Sequence, residues 1–130
     1  MAASLLRRRC KTLVDKNVYQ IDRIRLYILE NIRDPELTPS AVAAALGISS
    51  RHMNKLFESE ELTVGQLIRN RRLEGAMTDL SNPLKPNVRI TEVAYDWGFS
   101  SASHFCRLFK KHFGKTPKDV QKQRMLNPNR

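Results

Sequence analysis

The sequence predicts an all-α chain of seven helical segments, four of which pair off into two helix-turn-helix units. Three observations carry this. No stretch alternates apolar and polar residues as a half-buried strand does, and no Asn-Gly or Asp-Gly hairpin turn occurs. Apolar residues recur instead at spacings of three and four, between cap residues, prolines and glycines that mark helix ends. A segment near residue 42 is also repeated near residue 93.

The elements follow in order. Val18 to Arg33 places Ile21, Ile24, Ile28 and Ile32 on one helix face, and Asp34-Pro35 ends it. Thr38-Pro39 reads as an N-cap followed by a proline at the first helical position, with Gly47 just past the helix end. Ser49 or Ser50 caps the next helix, to about Glu58. Thr63-Val-Gly-Gln66 fits a capping box, which opens a longer helix to about Leu80. Asn82-Pro83 and the residues after it form a loop. A helix from about Ile90 to Asp96 stops at Gly98, and Ser100 or Ser101 caps another, to about His112. Thr116-Pro117 repeats the cap-plus-proline device for a last helix to about Arg124, leaving residues 126–130 as a loose tail.

In the repeat, Val42, Ala43, Gly47, Ser49 and Ser50 match Val93, Ala94, Gly98, Ser100 and Ser101. After one inserted residue, His52, Leu56 and Phe57 match His104, Leu108 and Phe109. Each copy is a short helix, a turn at glycine and a second helix, with an apolar residue after the glycine (Ile48, Phe99) plugging the angle between them. In the second helix of the first copy, Met53, Leu56 and Phe57 form one stripe. Arg51, Asn54 and Lys55 fall on the opposite face at about 100° per residue. The second copy turns Phe105, Leu108 and Phe109 inward and Ala102, Ser103, Cys106 and Arg107 outward.

Lys and Arg number 23 against 13 Asp and Glu, a net charge of +10. The excess sits at the ends: residues 1–16 carry net +4 and residues 99–130 net +7. Such a balance favours a polyanion, nucleic acid before an anionic membrane surface. No run of 18 apolar residues provides a membrane span, and the first ten residues lack the apolar core of a secretory signal. Cys10 and Cys106 stand far apart, without the spacing of a zinc site or a disulfide framework, so both read as plain thiols in a reducing compartment.

The chain resembles the AraC/XylS family of bacterial transcription regulators over about residues 17–125. The resemblance is carried by Arg72-Leu73, by Ile90-Thr-Glu-Val-Ala-Tyr-Asp-Trp-Gly-Phe99, by Phe105, Leu108-Phe109, Phe113-Gly114 and Thr116-Pro117, and by the first helix-turn-helix. It implies a homeodomain-like domain: helix-turn-helix units at about 38–58 and 90–112, joined by a linking helix at about 63–80. It implies a sequence-specific regulator, an activator, whose second helix in each unit enters a major groove of double-stranded promoter DNA. The implied base-contacting positions are Arg51, Asn54 and Lys55 in the first unit and Ala102, Ser103, Cys106 and Arg107 in the second. The second set departs from the family pattern in having few long polar side chains, which shifts its part toward backbone contacts and shape. Phosphate contacts are expected from Ser49, Ser50, His52, Ser101, His104, Lys110 and Lys111. RNA polymerase is the further partner implied. The chain is expected to act in the cytoplasm, at the bacterial nucleoid, without cofactor or membrane partner. It would bind DNA as a monomer, or as a dimer if it is part of a longer chain. Residues 1–16 read as a basic arm or linker.

Several of these residues have a plainer reading. Arg51, Asn54 and Lys55 would suit the wet face of any surface helix. Trp97 reads as core, and Ser49, Ser50, Ser100 and Ser101 as helix caps whose backbone amides can also hold a phosphate. Cys106 beside Arg107 reads either as a small DNA-facing side chain or as a redox-sensitive thiol. Two other function classes fit the sequence less well. An enzyme acting on DNA in the manner of a repair methyltransferase needs a metal-held cysteine cluster, and the sequence has none. A charge-only architectural or RNA-binding protein does not account for two matched helix faces.

Overall fold

In a computed structural model, residues 2–85 and 87–126 are described, with side chains over 16–85 and 87–124. Among the described residues there are seven helices and no strand. They are α1 (Ala2–Glu30), α2 (Pro39–Ala45), α3 (Ser50–Leu56), α4 (Val64–Ser81), α5 (Ile90–Asp96), α6 (Ala102–Phe113) and α7 (Pro117–Leu126).

The local punctuation behaves as its chemistry requires. Thr38 Oγ1 accepts the Ala41 N–H and Ser49 Oγ the His52 N–H. Ser101 Oγ accepts the His104 N–H, so the caps are Ser49 and Ser101, not their neighbours. Thr63 and Gln66 complete a reciprocal capping box at the start of α4. The turn glycines Gly47 and Gly98 take φ of +69° and +84°, a region closed to most side chains.

Two hydrophobic clusters form, one per unit. The first joins Ile21, Ile24, Ile28 and Ile32 of α1 to Val42, Met53, Leu56 and Phe57, and to Val64 and Ile68 of α4. The second joins Leu73, Ala76 and Leu80 of α4 to Val93, Phe99, Phe105, Phe109 and Val120. Burying each large side chain contributes about 1.5–3 kcal/mol. At about 100° per residue, the two buried sets of α4 point roughly 130° apart. The helix is therefore shared by both units and has no single apolar face.

Contacts between the units hold them together. The Arg72 guanidinium donates to the carbonyls of Ile32 (3.1 Å) and Asp34 (2.6 Å), closing the end of the first unit onto α4. A side chain at Gly98 would meet that guanidinium at 2.9 Å, so the second turn rests on the same group. Burial lowers the pKa of Arg72, against the pull of the Asp34 carboxylate. Trp97 packs against both clusters, donates its Nε1–H to Asp79 at 2.8 Å and lies under Arg33, whose guanidinium carbon is 4.3 Å from the ring centre. It is half-buried, a joint between units where a core residue was expected. On the far side, Arg124 Nη1 donates to the carbonyls of Leu80, Asn82 and Lys85, so α7 pins the loop that follows α4.

Two boundary expectations meet this structure differently. The first helix begins at Ala2, not Val18, so the expected division at residues 16–17 falls inside α1. The Arg7, Arg8 and Arg9 side chains lie outside the described residues, as do residues 127–130 of the expected tail.

Candidate nucleic-acid interface

Each unit presents the exposed face of its second helix. On α3, Met53 and Leu56 are buried while Arg51, His52, Asn54 and Lys55 are exposed. The side chains at 51, 54 and 55 make no hydrogen bond or ion pair within the described residues, so their donors and acceptors are free for an external partner. His52 is partly engaged: its Nε2 lies 3.3 Å from Gln20 Oε1 on α1.

On α6, Phe105 and Phe109 are fully buried, Phe105 lying 5.0 Å from the Phe99 ring and 5.6 Å from Phe109. Ser103 and Arg107 are exposed, as are His104, Lys110 and Lys111. Two outward expectations need correction. Cys106 is half-buried against the second cluster, and Ala102 is half-buried as well. The reason is that α6 packs against α4, α5 and α7 together, which covers a wider arc than its central apolar stripe. Burial also pushes the Cys106 thiol up, which makes it a poor thiolate and weakens the redox reading. Leu108, expected inward, is half-buried at the edge of the cluster. The face of α6 opposite the core thus centres on Ser103, Arg107 and Lys110, with the exposed His104 and Lys111 on its flank.

The start of each second helix suits anions. Ser49 and Ser101 use their oxygens as acceptors for the caps, which leaves each hydroxyl hydrogen free to donate outward. Ser50 is exposed beside the first cap. Lys110 and Lys111 stand in the last turn of α6, where cations complement the helix dipole before Gly114 ends it at φ +78°. Among the described residues no group of His, Cys, Asp and Glu could hold a metal. No described helix is long and apolar enough to cross a membrane.

Arg69 of α4 belongs to no motif in the sequence. It is exposed and, with Gly65 and Arg72, lies on one stripe of α4 turned toward the space between the units. The signal available was the spacing of residues 65, 69 and 72, which share a helix face.

Comparison with known proteins agrees with this geometry. The helix-turn-helix domain family matches residues 42–123. The transcriptional activator NphR of a Rhodococcus species is 36% identical over 97 residues, covering 75% of this chain and 28% of NphR. The probable transcription factor PqrA of Proteus vulgaris is 34% identical over 86 residues, covering 65% of this chain and 68% of PqrA. The crystal structure of a probable AraC family transcriptional regulator from Rhodopseudomonas palustris superposes with a TM-score of 0.68 at 29% identity, covering 77% of this chain and 92% of that one. The chain thus spans little more than a quarter of the length of NphR, and two thirds of PqrA. Two capped helix-turn-helix units on one shared helix, matched over most of their length, place the chain in the AraC/XylS family of helix-turn-helix transcriptional regulators.

Proposed function

We propose that the chain binds double-stranded promoter DNA sequence-specifically and regulates transcription as an activator, with α3 and α6 entering successive major grooves. The observation that carries this reading is the repeated exposed face, Arg51, Asn54 and Lys55 on one unit and Ser103 and Arg107 on the other. Arg suits a guanine edge and Asn an adenine edge, each by two parallel hydrogen bonds. The 18 residues of α4 span about 27 Å. Together with the width of the helices it joins, that is the order needed to set two reading helices about 34 Å apart, one DNA turn. The two faces differ in sequence, so one monomer suits an asymmetric site. Ser49, Ser50, His52, Ser101, His104, Lys110 and Lys111 supply phosphate contacts around the readers. Ala102 and Cys106 contribute at most their exposed edges to base contact. The name of NphR, a transcriptional activator, supports the sign of regulation, with RNA polymerase as the second partner. A bacterial regulator of this kind works in the cytoplasm, at the nucleoid.

The test is selection of a duplex site from random oligonucleotides, followed by titration of wild type, Arg51→Ala and Asn54→Ala. Each variant is expected to lose about 1–3 kcal/mol on the selected site and to relax preference at one base pair. Folding should be unaffected, since both residues are exposed. Equal weakening on selected and random DNA would reassign them to phosphates. Cleavage protection limited to one groove would refute two-groove docking.

A further inference from the structure

Two clefts open along α4 between the units. One, of about 370 Å³, is bordered by Thr38, Arg69, Arg72, Ser100 and His104. The other, of about 350 Å³, is bordered by Gln66, Arg69, Asn70, Lys111 and His112. Arg69 and Leu108 line both, so the clefts form one groove with Arg69 at its middle. No carboxylate side chain among the described residues lines either cleft. Arg72 is committed to backbone carbonyls. Arg69, by contrast, is exposed with no hydrogen bond or ion pair among the described residues, and the His104 ring and Lys111 amine are equally free.

The placement of this groove follows from α6. At about 100° per residue, His104, Leu108 and Lys111 form a stripe roughly 90° round the helix from Ser103 and Arg107. A helix whose Ser103 and Arg107 point at base edges turns that flank to one sugar-phosphate wall of its groove. The flank faces α4 and the first unit, so the wall is the stretch of backbone running between the two occupied major grooves.

We propose that the linking helix is itself a DNA-contact element, in which Arg69, flanked by His104 and Lys111, holds the phosphodiesters of the strand between the two major grooves. A guanidinium suits this because its planar donors take two phosphate oxygens at once. The inference rests on the two-groove reading above and adds a third point of attachment at its centre.

Arg69→Ala and Arg69→Lys test it, titrated against the selected duplex and a random duplex over a range of salt concentrations, with phosphate-ethylation interference on the selected site. Arg69→Ala should bind both duplexes about tenfold more weakly, the loss of one charged hydrogen-bonded contact. Its plot of log affinity against log salt should be shallower by about one unit. Interference at phosphates between the grooves should fade, and thermal melting should be unchanged. Arg69→Lys should keep the salt slope while losing part of the affinity. Unchanged affinity, slope and interference in Arg69→Ala would overturn this inference alone, as would a loss confined to the selected duplex. A wild type that does not prefer its selected duplex, or protects one groove only, would overturn the two-groove reading and this inference with it.

Discussion

Replacing Gly75 by alanine tests whether the two units are locked together as the structure has them. Gly75 lies inside α4, where alanine ordinarily stabilises a helix by about 0.8–1.0 kcal/mol. Here the new methyl would meet the Trp97 ring, no more than 2.6 Å from its Cε3, Cζ3 and Cη2 atoms. The ring cannot retreat freely, because its Nε1–H is bonded to Asp79 and Arg33 covers its face. Overpacking of this kind costs about 1–3 kcal/mol. Swinging the indole aside forfeits its hydrogen bond, about 0.5–1.5 kcal/mol, and the cation–π contact, about 0.5–1 kcal/mol. Against the helix-propensity gain, a net destabilisation of up to about 2 kcal/mol is expected, or a fall in Tm of about 4 °C per kcal/mol. Urea and thermal unfolding measure it, and Trp97, the one tryptophan of the chain, reports its own displacement by fluorescence. In a Trp97→Ala background the sign should reverse, with alanine at 75 neutral or stabilising by up to about 1 kcal/mol. A Gly75→Ala variant that gains the full helix-propensity stabilisation of about 1 kcal/mol in the presence of Trp97 would refute the packing argument.

Two further outcomes are expected. Asp119 caps α7: its Oδ2 accepts the Thr116 N–H and its own N–H donates to Thr116 Oγ1, and the bond from the Thr116 backbone is the main reason its pKa lies below the ordinary carboxylate value. A depressed folded pKa means that the contribution is present above the unfolded value, about 3.9, and lost as pH falls through the folded one. Wild type should therefore exceed Asp119→Asn in Tm at neutral pH and converge with it in acid; a gap that persists into strong acid would contradict the capping role. Neutralising Lys110 and Lys111 together should weaken selected and random DNA alike and make the salt slope shallower by about two units. Unchanged binding with reduced transcription would assign them to a protein partner instead.

What was legible in the sequence was what local chemistry decides. Caps at Thr38, Ser49, Thr63 and Ser101 act within three residues of themselves, and Gly47 and Gly98 are demanded by the turns they occupy. The exposure of Arg51, Asn54 and Lys55 followed from period alone, because Met53, Leu56 and Phe57 are so plainly the opposite face. The start of α1 was not legible, since the net charge of +4 over residues 1–16, with Arg7, Arg8 and Arg9 in a row, reads as a solvated arm. Their Ala, Leu, Arg and Lys favour helix by propensity, which burial patterns do not register. Cys106 misled for a related reason: period places it opposite the core, but α6 is flanked by three helices, and their combined reach covers it.

The joint between the units was illegible for a different reason. Arg72 reaches carbonyls 38 and 40 residues away, and Trp97 reaches Asp79 at a separation of 18. Such pairs leave no periodic trace, because each partner sits in a locally ordinary position. Yet they and α4 decide where the two reading faces stand relative to each other. Val64 and Ile68 belong to one core, while Leu73, Ala76 and Leu80 belong to the other. The roughly 130° between these two sets is the angle through which α4 turns the second unit relative to the first. A one-residue insertion near Arg69 would rotate that relation by about 100° and leave both cores nearly intact. Each unit would still fold and still present its recognition helix. Under the proposed two-groove docking the two helices would no longer meet one face of the duplex, so the phase of this single helix is what would separate a two-groove regulator from two adjacent DNA-binding units.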